Sequence, residues 1–205
     1  FDISGGNGND DITLDGAAEQ DGLDSTNTVN AGADDDTVEL KGDFGSHVDE
    51  LDLGAGDDSV TLGYGSVGES LTLGAGADEL NGGTGNDRLF GNQGGDDLNG
   101  GAGRGVLSGQ TGEAVLVGGN GRDELRGGQG WDEFVYTDMR EGNDTITDFE
   151  DGIDLISLSN LGMDFNDLDI SSANGGSDAL IEFGNTSILL NGVSVDDLDQ
   201  SDFVF

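Results

Sequence analysis

Between residues 73 and 135 one apolar side chain returns every nine positions: Leu80, Leu89, Leu98, Leu107, Leu116, Leu125 and Phe134. Glycine surrounds each, with aspartate and amides in most units, as in GGTGNDRLF and GNQGGDDLN. One inward residue per unit marks a very short strand. The residues between strands must reverse the chain, and glycine reaches the positive φ angles such turns need. Two units then close one flattened coil. Successive coils stack as parallel strands with a right-handed crossover expected, and the leucines fuse into a continuous core. Upstream, Ile12, Val38, Val60 and Leu71 fall where the inward residue belongs, so the core is expected to run on through a less regular half.

Seven nonapeptides abut without a gap, from LGAGADELN at residue 73 to GGQGWDEFV ending at Val135. Stacking would bring aspartates eighteen residues apart into register, separated by the interstrand spacing of about 4.8 Å. Bare carboxylates that close repel, whereas a calcium ion between coils could touch both while turn carbonyls complete its shell. The pattern resembles the G-G-x-G-x-D-x-U-x repeat of the repeats-in-toxin family. That resemblance implies an all-β, right-handed parallel β-roll that binds several calcium ions.

Alternate repeats lie on opposite edges of such a roll. One edge carries Asp78, Asp96, Ala114 and Asp132, and the other Glu69, Asp87, Gly105 and Asp123. GGNGNDDIT, AGADDDTVE and LGAGDDSVT place Asp10, Asp36 and Asp58 on the first edge, while EGNDTITDF offers Asp144 as the last ligand turn of the second. The turns around AEQDGLDSTN, KGDFGSH and YGSVGES lack the motif and are expected to bind no ion. The metal-site residues are therefore these nine aspartates with the turn glycines Gly74, Gly76, Gly83, Gly85, Gly94, Gly119, Gly121, Gly128 and Gly130. Gly105 and Ala114 interrupt both columns, and weak positions are expected beside them. Val106, Val115 and Val117 there would restore strand stability by β propensity, or form a partner patch.

Composition agrees with a cation-held fold. The chain carries 44 acidic and 6 basic side chains, a formal charge of -38, which repels nucleic acid and anionic membrane. Forty glycines without proline speak against an ordinary disordered linker. Absence of cysteine excludes disulfides and thiolate metal sites, and no apolar run is long enough to span a bilayer. The single histidine, His47, is too little imidazole for zinc hydrolysis. GGSDA at 175–179 departs from a nucleophile elbow, and no catalytic constellation is found. The chain opens at Phe1 without an apolar leader and is expected to be part of something longer.

Beyond Tyr136 glycine thins, and DTITDF, DLISLS, ALIEFGNTSILLNG and FVF read as ordinary strands with hairpin turns at Asn174-Gly175 and Gly184-Asn185. A short helix is expected in NLGMDFNDLDI. The division expected is irregular coils over 1–72, regular repeats over 73–135, and a cap with export region over 136–205. DTITDFEDGIDLISLSNLG resembles the segment that follows the repeats in serralysin-type exported proteins, and the final Asp202, Phe203, Val204 and Phe205 resemble their type I secretion signal. The resemblance implies a module of a larger, secreted bacterial protein, extracellular or on the cell surface, whose partners are calcium and the type I machinery. The alternatives are a substrate-binding module of a secreted protease or polysaccharide-modifying enzyme, with a polysaccharide partner, or a fragment of an adhesin or surface-layer protein.

Overall fold

The computed structural model describes residues 2–15, 28–41, 50–62 and 70–205. The motif-less turns and His47 expected above lie largely outside these residues, as does Glu69.

Two sheets face each other. The first stacks Asp2–Asn7, Thr28–Ala33, Glu50–Ala55, Ser70–Thr72, Arg88–Gln93, Val106–Thr111, Glu124–Gln129 and Asn143–Ile146 in parallel, then Thr186–Leu190, and closes with the antiparallel strands Asp178–Phe183 and Asp169–Ala173. The second stacks Asp11–Asp15, Thr37–Lys41, Ser59–Leu62, Glu79–Asn81, Asp97–Asn99, Val115–Val117, Glu133–Val135, Leu155–Ser157 and Phe203–Val204, all parallel. The chain alternates between sheets, one strand each per coil, so the architecture is the parallel β-roll that the nine-residue period predicts.

The register shows why the apolar period holds. Leu80, Leu98, Leu116, Phe134, Ile156 and Phe203 pair in succession along the second sheet. Leu71, Leu89, Leu107, Leu125, Ile146 and Leu190 do so along the first. All are buried in one core with Val29, Val38, Leu51, Leu53 and Val60 from the irregular half. Each buried leucine contributes about 1.5–3 kcal/mol. Large apolar residues, mostly leucine, stacked at one interstrand step fill the gap between sheets, which is why the strands can be three residues long.

The cap forms where hairpin chemistry replaces coil chemistry. Asn174 and Gly175 both take positive φ in the first hairpin turn, and Gly184 does in the second. The expected helix in NLGMDFNDLDI is a single 3-10 turn, Phe165–Asp167, closed by a capping box between Asp164 and Asp167. No helix of the described residues is long and apolar enough to cross a membrane.

Candidate cation-binding turns

The turns between sheets place the predicted aspartates on two edges. Asp10, Asp36, Asp58, Asp78, Asp96 and Asp132 each precede a strand of the second sheet, with Ala114 among them, whereas Asp87 and Asp123 precede strands of the first, with Gly105 among them, and Asp144 stands at the start of the next strand there, Asn143–Ile146. The Glu124–Thr145 pairing puts Asp144 directly over Asp123.

Asp36, Asp58, Asp78, Asp96, Asp123, Asp132 and Asp144 share one arrangement. Each Oδ1 accepts the main-chain N–H of the motif position one coil earlier: Asp36 from Asp10 at 2.8 Å, Asp58 from Asp36 at 2.7 Å, Asp78 from Asp58 at 2.9 Å, and Asp96 from Asp78 at 3.1 Å. The second edge repeats this with Asp123 on Gly105 at 2.6 Å and Asp144 on Asp123 at 2.9 Å. Each Oδ2 turns back over its own turn. In Asp10, Asp36, Asp58, Asp78, Asp96, Asp123 and Asp144 that oxygen is buried with no hydrogen-bond partner. The carboxylates are thus not bare facing pairs; each is already anchored by one oxygen and offers the other.

Glycine makes room for that second oxygen. A Cβ on Gly91 would stand 2.2 Å from Asp96 Oδ2, and one on Gly127 would stand 2.2 Å from Asp132 Oδ2. The first motif glycine is therefore the notch into which the aspartate five residues later folds. The fourth serves a different need: at φ +146°, a Cβ on Gly94 would strike the Gly76 carbonyl oxygen at 1.3 Å. Backbones stack directly there and bring main-chain oxygens to the same turns as the carboxylates.

Six of these carboxylates, Asp58, Asp78, Asp96, Asp123, Asp132 and Asp144, hold protons more tightly than free ones. Burial, opposed by the main-chain hydrogen bond and assisted by neighbouring acids, pushes Asp58 and Asp123 up to about 6 and Asp144 up to about 7. Asp78, Asp96 and Asp132 are raised for the same leading reason. Among the described residues no three acidic or histidine side chains converge enough to hold an ion by themselves. The donor set per turn is therefore one buried carboxylate oxygen among main-chain carbonyls, a hard, oxygen-only environment that fits calcium.

The two interruptions differ in detail. Ala114 N–H still donates to Asp132 Oδ1 at 2.9 Å, and the notch at Gly109 remains, 2.5 Å from the Ala114 Cβ. At Gly105 the Leu107 Cδ1 leans in, within 2.9 Å of where a Cβ would stand.

Residues 2–203 match the profile described as Peptidase M10 serralysin C terminal. The chain belongs to the serralysin C-terminal family. This bears out the repeats-in-toxin resemblance, and the matched region is the C-terminal part of those peptidases, not a catalytic domain. Among solved structures, this serralysin C-terminal chain is similar to two repeat subunits of the mannuronan C5-epimerase of Azotobacter vinelandii. For AlgE6R2 the identity is 26%, covering 58% of this chain and 88% of that one at a TM-score of 0.48; for AlgE6R3 it is 25%, covering 68% and 78% at 0.44. It is also similar to the extracellular lipase LipA of Serratia marcescens, at 16% identity over 90% of this chain and 39% of that one, with a TM-score of 0.40. No curated protein matches closely enough to count as a relative.

Sequence reasoning missed one rung of the first edge. Asp154 continues the first edge beyond Asp132, accepting the Asp132 N–H at 3.1 Å, but its Oδ2 accepts the Glu150 N–H at 2.9 Å. Both its oxygens serve the main chain, which distinguishes it from the turns above. The signal was present as Asp154-Leu155-Ile156, the D-x-U of the repeat without its glycines. Asp202 lies buried in a capping box on the 3-10 turn Gln200–Asp202, and Phe203–Val204 pair with Ile156 and Ser157 as the last strand of the second sheet. Glu141, a second residue the nine-residue pattern passes over, is taken up below.

Proposed function

We propose that this chain is a calcium-binding β-roll module that folds on binding calcium after type I export of a larger extracellular bacterial protein. The observation that carries the reading is the column of buried aspartates whose Oδ2 atoms lack any partner beside stacked main-chain turns. A buried carboxylate oxygen left unsatisfied is costly, and repeating it along two edges would be untenable in a metal-free native state. Bound calcium supplies the countercharge and accepts those oxygens as ligands. The chain's own part is to hold each Oδ1 on the neighbouring coil, so that Oδ2 is pre-aimed, and to keep side chains out of the turn through Gly91, Gly94 and their equivalents.

Because the ion binds the rolled and not the extended chain, its binding free energy is folding free energy. In submicromolar calcium the repeats are then unfolded and self-repelling, the form in which a chain threads an exporter. Millimolar calcium outside would fold them. Circular dichroism in chelator and in calcium checks this: strand signal is expected to appear only with calcium at neutral pH, and an unchanged spectrum in excess chelator would sink the reading.

A further inference from the structure

The second column ends at Asp144. In the next strand Ile188 pairs opposite it, so the rung that would follow carries no carboxylate. Three residues earlier in the same turn stands Glu141, at the third motif position, which the regular repeats fill with Ala75, Thr84, Gln93, Ala102, Thr111, Asn120 and Gln129. None of those is acidic.

Glu141 is 3% exposed, and its place is fixed from every side. Its Oε1 accepts from Thr137 N–H at 2.8 Å, Thr137 Oγ1 at 2.7 Å and Asp138 N–H at 3.0 Å. Its own N–H donates to Thr186 Oγ1 at 3.0 Å, and its carbonyl accepts from Gly121 at 2.6 Å. Three donors on one oxygen hold the carboxylate rigidly, yet Oε2 has no partner. Asp144 Oδ2 is in the same condition. So is the hydroxyl of Tyr136, 1% exposed, its ring edge-on to Phe183 at 5.9 Å; it stands beside the Asp144 carboxyl without a well-formed hydrogen bond to it. Three unsatisfied oxygens from one turn and the adjoining strand are thus buried where roll meets cap.

We propose that Asp144 and Glu141 together hold one calcium ion as a terminal site at this junction, with Tyr136 beside it and main-chain oxygens completing the shell. The inference rests on the calcium reading above but concerns a ligand that the nonapeptide does not encode. Glu141 supplies from within the last turn the acidic side chain that no further coil can. Two charged ligands on one ion favour tighter binding than one. The terminal site therefore fills first, and it ties the last coil to the cap strand through Thr186.

Terbium, which occupies calcium sites and emits when a nearby aromatic ring is excited, tests the placement in the full chain. In a Trp131→Phe background, the first equivalent of terbium is expected to emit on tyrosine excitation, and Tyr136→Phe is expected to abolish most of that emission. Calorimetric titration with calcium should find one ion fewer, and the tightest phase missing, in Glu141→Gln. Asp96→Asn should retain the tightest phase. Unchanged stoichiometry in Glu141→Gln, or emission indifferent to Tyr136→Phe, overturns the terminal site while leaving the roll sites standing. A wild-type chain that takes up no calcium at all overturns both readings. The terbium arm does not require the Glu141 variant to fold.

Discussion

At the scale of single residues the repeat is a pairing of one glycine with one aspartate. Gly91 is glycine because Asp96 occupies its side-chain space, so loss of the aspartate should leave a place to restore it. Ala114 keeps that place at Gly109, whereas at Gly105 the Leu107 side chain has moved in. Ala114→Asp is therefore expected to raise calcium stoichiometry and the melting temperature in calcium. Gly105→Asp must displace Leu107, and overpacking of that kind costs about 1–3 kcal/mol. Calorimetry and thermal melts of the two single variants separate the cases. Equal ion counts in wild type and Ala114→Asp would show that carbonyls alone fill the turn and that the aspartates are overrated as ligands.

At the scale of elements, the last strand carries two demands. Phe203 is buried, packed against Phe165 at 5.5 Å and Phe205 at 5.9 Å, whereas Val204 is 36% exposed. The closing-strand role belongs to Phe203, and an export signal read on the unfolded chain would use the whole segment. Once rolled, Asp202 and Phe203 are withdrawn from solvent. Phe203→Ala is expected to lower stability in calcium by about 3 kcal/mol, read from urea melts. Val204→Asp should leave stability nearly unchanged, within about 0.5 kcal/mol, yet reduce secretion through a reconstituted type I system. Wild-type secretion of Val204→Asp would reject the signal and leave only the strand.

At the scale of the whole molecule, protons and calcium compete for one set of oxygens. In the folded chain burial lifts Asp58, Asp123 and Asp154 to about 6 and Asp144 to about 7, against about 3.9 for an unfolded aspartate. The folded state then binds protons more tightly, so the metal-free chain gains stability as pH falls from about 7 to about 4 and loses it again on the way up. Below that window both states are protonated and the gain stops. With calcium the sign reverses, because ligands must be deprotonated. On acidification across this range the strand signal in chelator is expected to rise, while the melting temperature in calcium is expected to fall. A parallel fall on acidification in both would contradict the assignment of these carboxylates.

The nine-residue recurrence of Leu80 through Phe134 determined the coil, the parallel stacking and the edge on which each aspartate lies, because a turn of fixed length can place one inward residue in only one way. Asn174-Gly175 and Gly184-Asn185 likewise announced the hairpins through their tolerance of positive φ. The sequence could not say that each Oδ1 is anchored on the coil before it, since that bond joins residues eighteen to twenty-six apart whose register only stacking sets. Nor could it separate Asp154, with both oxygens on the main chain, from Asp96, with one left over. Glu141 shows the same limit. As one acid among 44 it carries no mark in the sequence; only the burial of its turn between the Gly121 coil and the Thr186 strand makes its second oxygen costly, and burial is a property of the packed chain.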